Sequence, residues 1–123
     1  MRSRWQKTAP VFTGLSAAVV FLVIAAASVG AQGSRDFSIV GSKYAYQPGS
    51  ITVDRNDLVK ITFSAEDIPH SFTIDGYRIS KRAGAGQSVT FEFRADQAGT
   101  FDYYCNLTQD DKCKNMRGKL VVR

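Results

Sequence analysis

From Asp36 onward, the sequence consists of short stretches of alternating apolar and polar residues, separated by glycine, proline, asparagine and aspartate. The clearest stretch places Val89, Phe91 and Phe93 on one face of a strand and polar residues on the other. About seven such segments follow one another at spacings of roughly 8–12 residues, with no amphipathic segment of helix length between them. This pattern predicts an all-β fold, either a sandwich or a barrel.

The N-terminal segment has a different character. Arg2, Arg4 and Lys7 precede an uncharged, largely apolar run from Thr8 to Gln32. A basic start followed by an apolar stretch is typical of an export signal or a membrane anchor. We therefore expect a hydrophobic helix here that lies outside the fold.

Two features of this segment favour different fates. The small residues Val29, Gly30 and Ala31 resemble a cleavage site, whereas the run exceeds the ~7–15 residues of a usual signal core and reaches the ~20 that span a bilayer. Residues 1–31 are thus predicted to be a signal peptide or membrane anchor, and residues 32–123 a single exported domain. Either fate places that domain in the periplasm or on the extracytoplasmic face of the cell membrane.

The charge of the exported part is small. The N-terminal segment contains three of the 16 lysines and arginines and none of the 11 acidic residues, so the remainder has a net charge of 13 − 11 = +2. Four basic residues cluster around and after the second cysteine: Lys112, Lys114, Arg117 and Lys119. Two aspartates lie beside this cluster, and an exported protein meets little nucleic acid. A solvated loop, or a contact with an acidic partner, is favoured over nucleic-acid binding.

The residues with the most distinctive chemistry lie near the C-terminus. Cys105, Cys113 and Met116 form the pattern Cys-x7-Cys-x2-Met at the end of an aromatic-rich strand, and the only histidine, His70, lies upstream. Imidazole, thiolate and thioether are ligands that suit copper, and the sulfur ligands favour Cu(I). Two cysteines in an exported chain also fit a disulfide, and both interpretations stay open at this point.

Enzymatic sites are poorly supported by the sequence. One histidine leaves little for a Ser-His-Asp arrangement, and residues 84–86 (Gly-Ala-Gly) lack the helix that follows a phosphate-binding loop. Zinc is disfavoured as well, because a thioether is an unusual zinc ligand. We therefore expect a protein that is not an enzyme.

The region from Ser42 to Val122 resembles the copper-binding cupredoxin domain of cytochrome c oxidase subunit II and its relative in nitrous-oxide reductase. The matching phrases are Lys43–Pro48, His70–Ile74, Gly99–Cys105 and Met116–Leu120. The resemblance implies a Greek-key β-sandwich, preceded here by the hydrophobic helix, that holds copper between loops at one end.

The ligand loop departs from that family. Its dinuclear centre uses an upstream histidine and a loop reading Cys-x3-Cys-x3-His-x2-Met. In this chain the upstream histidine, the first cysteine and the methionine of the family correspond to His70, Cys105 and Met116. The position of the second cysteine is occupied by Gln109, and that of the downstream histidine by Cys113. The resemblance therefore implies a mononuclear copper site made by His70, Cys105, Cys113 and Met116.

Three functions remain open from this ligand set. Electron transfer is the first, with a redox protein as partner. The second is a Cu(I) carrier or assembly factor for a respiratory copper enzyme, because a second thiolate favours Cu(I) and two thiols oxidised by Cu(II) would close as a disulfide. The third is a structural sandwich without metal, held by a Cys105–Cys113 disulfide. The partners expected are a redox protein or a copper donor or acceptor, and the membrane if residues 1–31 are retained.

Overall fold

The computed structural model of the protein describes Gly14 and residues 33–123. The N-terminal hydrophobic helix predicted for residues 1–31 lies, apart from Gly14, outside the described residues, and so does the choice between signal and anchor. Among the described residues, no helix has the length and apolar character needed to cross a bilayer.

Nine strands and two single-turn 3-10 helices form the described part of the chain. The strands are β1 (Ser34–Ser42), β2 (Ala45–Gln47), β3 (Ser50–Val53), β4 (Leu58–Ala65), β5 (His70–Ile74), β6 (Ile79–Ala83), β7 (Ser88–Arg94), β8 (Gly99–Tyr104) and β9 (Arg117–Val122). The helices are η1 (Asp75–Tyr77) and η2 (Cys113–Asn115).

The strands form two sheets. One has four strands in the order β2-β1-β4-β7, and the other has five in the order β3-β9-β8-β5-β6. Only the pairs β1–β4 and β3–β9 are parallel among the described strands, and the remaining neighbours are antiparallel. The all-β fold predicted from the alternating segments is confirmed, and of the two alternatives, sandwich and barrel, the structure is a sandwich.

Aromatic side chains fill the core between the sheets. The rings of Phe72 and Tyr103 lie with their centroids 4.7 Å apart, and Phe63 lies 5.7 Å from Phe72. All three side chains are completely buried. Because truncating a buried phenylalanine to alanine typically costs ~3–5 kcal/mol of stability, this cluster contributes strongly to holding the two sheets together.

The strand directions place the site. β5 begins at His70, and β8 ends one residue before Cys105. Because β5 and β8 are antiparallel neighbours, the start of the first and the end of the second lie at the same end of the sheet. β9 is antiparallel to β8 and begins directly after Met116, so its start lies there as well. Cys113 belongs to η2, within the loop of residues 105–116 that joins β8 to β9 and is called the β8–β9 loop below.

Candidate functional site

The four residues singled out by the sequence are buried at one end of the five-stranded sheet. His70 and Met116 are fully buried, and Cys105 and Cys113 are 1% and 2% exposed. His70 precedes the first of the three sulfur residues by 35 positions in the sequence. The topology of the strands nevertheless brings the histidine and the sulfur residues to the same end of the sandwich.

Cys105 and Cys113 are joined by a disulfide, with their Cα atoms 5.2 Å apart. The described part of the chain has no free cysteine. The disulfide that the sequence left open as an alternative is thus the state of this structure. With the two cysteines joined, no group of three or more histidine, cysteine, aspartate or glutamate side chains in the described part is arranged to hold a metal ion.

The imidazole of His70 is held by Asp67. Its Nε2 lies 2.7 Å from Oδ1 of Asp67. Burial opposes ionisation of that carboxyl, but hydrogen bonds from the amide of Lys43, the ring of His70 and the amide of Ile68 outweigh it and lower the pKa of Asp67 to about 2. The carboxylate is therefore ionised at neutral pH, and Nε2 of His70 donates its proton to it.

The other ring nitrogen of His70 has no partner. Nδ1 is buried and makes no hydrogen bond in the structure. In the neutral ring, donation from Nε2 leaves Nδ1 as the nitrogen with the free lone pair. Buried polar atoms are nearly always hydrogen-bonded, so an unpartnered nitrogen here calls for an explanation.

Ser71 links the histidine strand to the first cysteine. Its amide donates a 3.4 Å hydrogen bond to Sγ of Cys105. Its hydroxyl donates to Oδ1 of Asn106 at 2.7 Å and accepts from the Asn106 amide at 2.8 Å. Because Ser71 directly follows His70, these bonds fix the start of the β8–β9 loop beside the histidine.

The middle of the β8–β9 loop packs against the turn before β2. Hydrogen bonding to the carboxylate of Asp110 raises the pKa of Tyr44, and the amide of Lys112 in turn helps to lower the pKa of Asp110. Nζ of Lys112 lies 5.4 Å from the centre of the Tyr44 ring. The loop is therefore anchored at its centre as well as at its start.

Two clefts flank the β8–β9 loop and share Leu107 and Asp110. The larger, of about 310 Å³, includes Cys105 in its lining. The smaller, of about 160 Å³, is lined by Ile68, Pro69, Arg82 and Gln109 besides the shared pair. Gln109, which stands where the family has its second cysteine, is exposed and makes no side-chain hydrogen bond within the described residues.

Sequence reasoning missed Asp67. An acidic residue in a loop is usually solvated, but Asp67 contacts the ring of His70. The sequence feature that could have indicated this contact is the position of Asp67, three residues before the only histidine in a turn that contains Pro69. Ser71 was likewise not recognised as the link to Cys105.

Comparison with protein families identifies the fold. A family model described as a cupredoxin-like domain matches residues 14–122, which is most of the chain. The chain belongs to the cupredoxin-like domain family. No curated protein matches this sequence significantly. The resemblance to the cupredoxin domain of oxidase subunit II is confirmed at the level of the family and the fold.

Solved structures with the same fold come from different kinds of protein. Auracyanin A, a "blue" copper protein from Chloroflexus aurantiacus, is 20% identical, with a TM-score of 0.63 over 74% of this chain and 100% of that one. The periplasmic domain of cytochrome oxidase subunit II (CoxB) from Bradyrhizobium japonicum is 14% identical, with a TM-score of 0.63 over 72% and 83%. The metal-binding domain of the Cu(I)-exporting P-type ATPase CopA from Streptococcus pneumoniae D39, solved with Cu(I), is 18% identical, with a TM-score of 0.60 over 74% and 87%.

Coverage of these structures varies. A chain of a heme-copper terminal oxidase dimer is 16% identical to this protein, with a TM-score of 0.64. The alignment covers 72% of this chain and 65% of the oxidase chain. The fold thus occurs in a small blue copper protein and within larger enzymes. At these identities the likeness concerns the fold, so the expectation that this chain is not an enzyme stays a prediction.

Proposed function

We propose that this protein is an exported Cu(I)-binding protein that takes one copper ion on His70, Cys105, Cys113 and Met116 once the Cys105–Cys113 disulfide is reduced. It would hand the ion to, or receive it from, another copper protein. One atom supports this proposal above all: Nδ1 of His70, which is buried without a hydrogen-bond partner.

The surroundings of that nitrogen resemble those of a metal ligand. Histidines that bind a metal through one nitrogen usually donate the other N–H to a carboxylate, which fixes the tautomer and the ring orientation. Asp67 plays this part at 2.7 Å from Nε2. Leaving a buried acceptor unsatisfied costs about 1–3 kcal/mol, and a bound metal ion would remove that cost.

The sulfur atoms supply the rest of the donor set. Cys105 accepts its hydrogen bond from the residue that follows His70, so its sulfur lies close to the histidine strand. The disulfide shows that Cys113 reaches Cys105 without a change of fold. Reduction would therefore present two thiols and the buried thioether of Met116 at the end of the sandwich where His70 lies.

This donor set favours the reduced ion. Thiolate and thioether are soft ligands that select Cu(I). A pair of thiols that closes readily to a disulfide is also a two-electron reductant, so it disfavours a lasting complex with Cu(II). The oxidised protein lacks both thiolates, and copper binding would depend on the thiol state.

Electron transfer is the second candidate function. It is favoured by the burial of all four side chains, at most 2% exposed, which keeps water away from the site. It would require that the copper-loaded protein holds Cu(II) with an intense thiolate absorption in the visible range. Reversible cycling of that colour, with both thiols preserved, would favour electron transfer over Cu(I) carriage.

Anaerobic titration with Cu(I) tests the proposal. The full-length chain is titrated in its disulfide form and after reduction, in competition with a chromophoric Cu(I) chelator. We expect one tightly bound Cu(I) in the reduced protein and much weaker binding in the oxidised one. Equal binding in the two states, or no binding after reduction, would contradict the proposal. Lys119→Gln, an exposed substitution outside the site, serves as the control and should behave like the wild type.

A further inference from the structure

The larger cleft beside the β8–β9 loop is lined by one of the two cysteines of the disulfide. Its volume is about 310 Å³, and its lining includes Cys105 but not Cys113, His70 or Met116. A group that enters here meets Cys105 first.

We propose that this cleft binds a low-molecular-weight thiol that has both an ammonium and a carboxylate group, and that this thiol reduces the disulfide by attack on Cys105. The inference concerns the disulfide itself and does not depend on whether the reduced site takes copper.

Size and burial select a small reductant. Thiol–disulfide exchange depends on access to the sulfur that is attacked. Cys105 is only 1% exposed but lines the cleft, so a molecule small enough to enter the cleft can approach it, whereas the broad active-site surface of a protein reductant does not fit into the cleft. A cleft of about 310 Å³ falls at the lower end of the ~300–1,000 Å³ typical of small-molecule sites.

Charge selects the kind of small thiol. The lining contains two cations, Lys114 and Arg117, and two carboxylates, Asp110 and Asp111. Tyr104 directly precedes Cys105 in the sequence, and the guanidinium of Arg117 lies 5.3 Å from the centre of the Tyr104 ring. Such a mixed lining complements a zwitterionic thiol and offers no charge contact to a neutral one.

The exchange balances without any further reagent. A thiolate in the cleft bonds to Sγ of Cys105, while the Cys105–Cys113 bond breaks and Cys113 leaves as a thiolate that takes a proton from water. A second small thiol then attacks the mixed disulfide, releases Cys105 and departs as an oxidised small disulfide. Two small thiols are oxidised, and one protein disulfide becomes two thiols.

The identity of the cysteine that first forms a mixed disulfide with the small thiol tests the proposal directly. The oxidised full-length chain is treated with glutathione, quenched in acid, and the mixed disulfide is mapped by mass spectrometry. We expect the first adduct on Cys105. An adduct on Cys113, or reduction that occurs only in denaturant, would overturn the proposal.

Reduction rates test the role of charge. The reduction rates with glutathione and with the neutral 2-mercaptoethanol are compared at equal thiolate concentration for the wild type, Arg117→Gln and Lys119→Gln. Lys119→Gln is the control, because the ammonium group of Lys119 lies outside the cleft, where it pairs with Asp102 at 2.7 Å. Arg117→Gln should slow glutathione about threefold, as expected for the loss of one exposed charge contact, and leave 2-mercaptoethanol unchanged. Equal slowing of both thiols, no slowing of either, or the same effect in Lys119→Gln would contradict a binding role of the cleft.

Discussion

At the scale of single residues, the proposed copper site depends on how Asp67 orients His70. The carboxylate accepts a hydrogen bond from Nε2 at 2.7 Å, and in the neutral ring this leaves the buried Nδ1 with the free lone pair. The sequence pointed to His70 through the family resemblance. It did not point to Asp67, because an acidic residue in a turn is usually solvated and only the folded turn brings it onto the ring.

Asp67→Asn tests this orientation. The amide has nearly the same shape but no charge, and it can present either its oxygen or its NH₂ group to Nε2. The preference for a free Nδ1 would weaken, and we expect the affinity of the reduced protein for Cu(I) to fall about 10–100-fold, as is usual when a partner of a metal-bound histidine is lost. Competition with a Cu(I) chelator measures this change. An unchanged affinity, with the neighbouring Glu66→Gln as control, would show that Asp67 has no such role.

At the scale of strands, the alternating pattern predicted most of the sandwich. The clearest stretch, 89–93, lies within β7 (Ser88–Arg94). β6 lacks this alternation. It is an edge strand with the sequence Ile-Ser-Lys-Arg-Ala, in which the three central residues are exposed and two of them are charged. The convergence of His70 with Cys105 followed from the antiparallel pairing of β5 and β8, which no local pattern in the sequence reveals.

The start of β9 contains a close contact that the strands depend on. Gly118 pairs with Tyr103 on β8, and a methyl group at Gly118 would overlap the Tyr103 ring. That ring is completely buried, and its hydroxyl donates to the carbonyl of Pro48 at 2.9 Å, so it has little freedom to move away.

Gly118→Ala should therefore destabilise the protein by about 1–3 kcal/mol, as is usual for overpacked cores. Urea unfolding monitored by circular dichroism measures the change. Gly49→Ala is the matched control, because a methyl group there would come no closer than 3.8 Å to the Tyr46 carbonyl oxygen. Equal stability of the two variants would mean that the Tyr103 ring moves aside at no cost.

At the scale of the whole molecule, thiol state and copper binding should change stability in a linked way. A ligand that binds only the folded protein stabilises it by about 2.7 kcal/mol at a concentration 100 times its Kd. We expect Cu(I) to raise the melting temperature of the reduced full-length chain and to leave that of the disulfide form unchanged. Differential scanning calorimetry under anaerobic conditions measures both. A similar rise in the two forms would place copper somewhere other than on the two cysteines.

The single histidine of the chain permits the most direct test of the proposed site. The full-length protein is labelled with ¹⁵N in the histidine ring and reduced, and its two ring-nitrogen resonances are recorded before and after addition of one equivalent of Cu(I), which is diamagnetic. Our account predicts a protonated Nε2 and an unprotonated Nδ1 in the copper-free protein, and a large shift of Nδ1 alone when the ion binds. Resonances that do not change with Cu(I), or a shift of Nε2 instead, would contradict it.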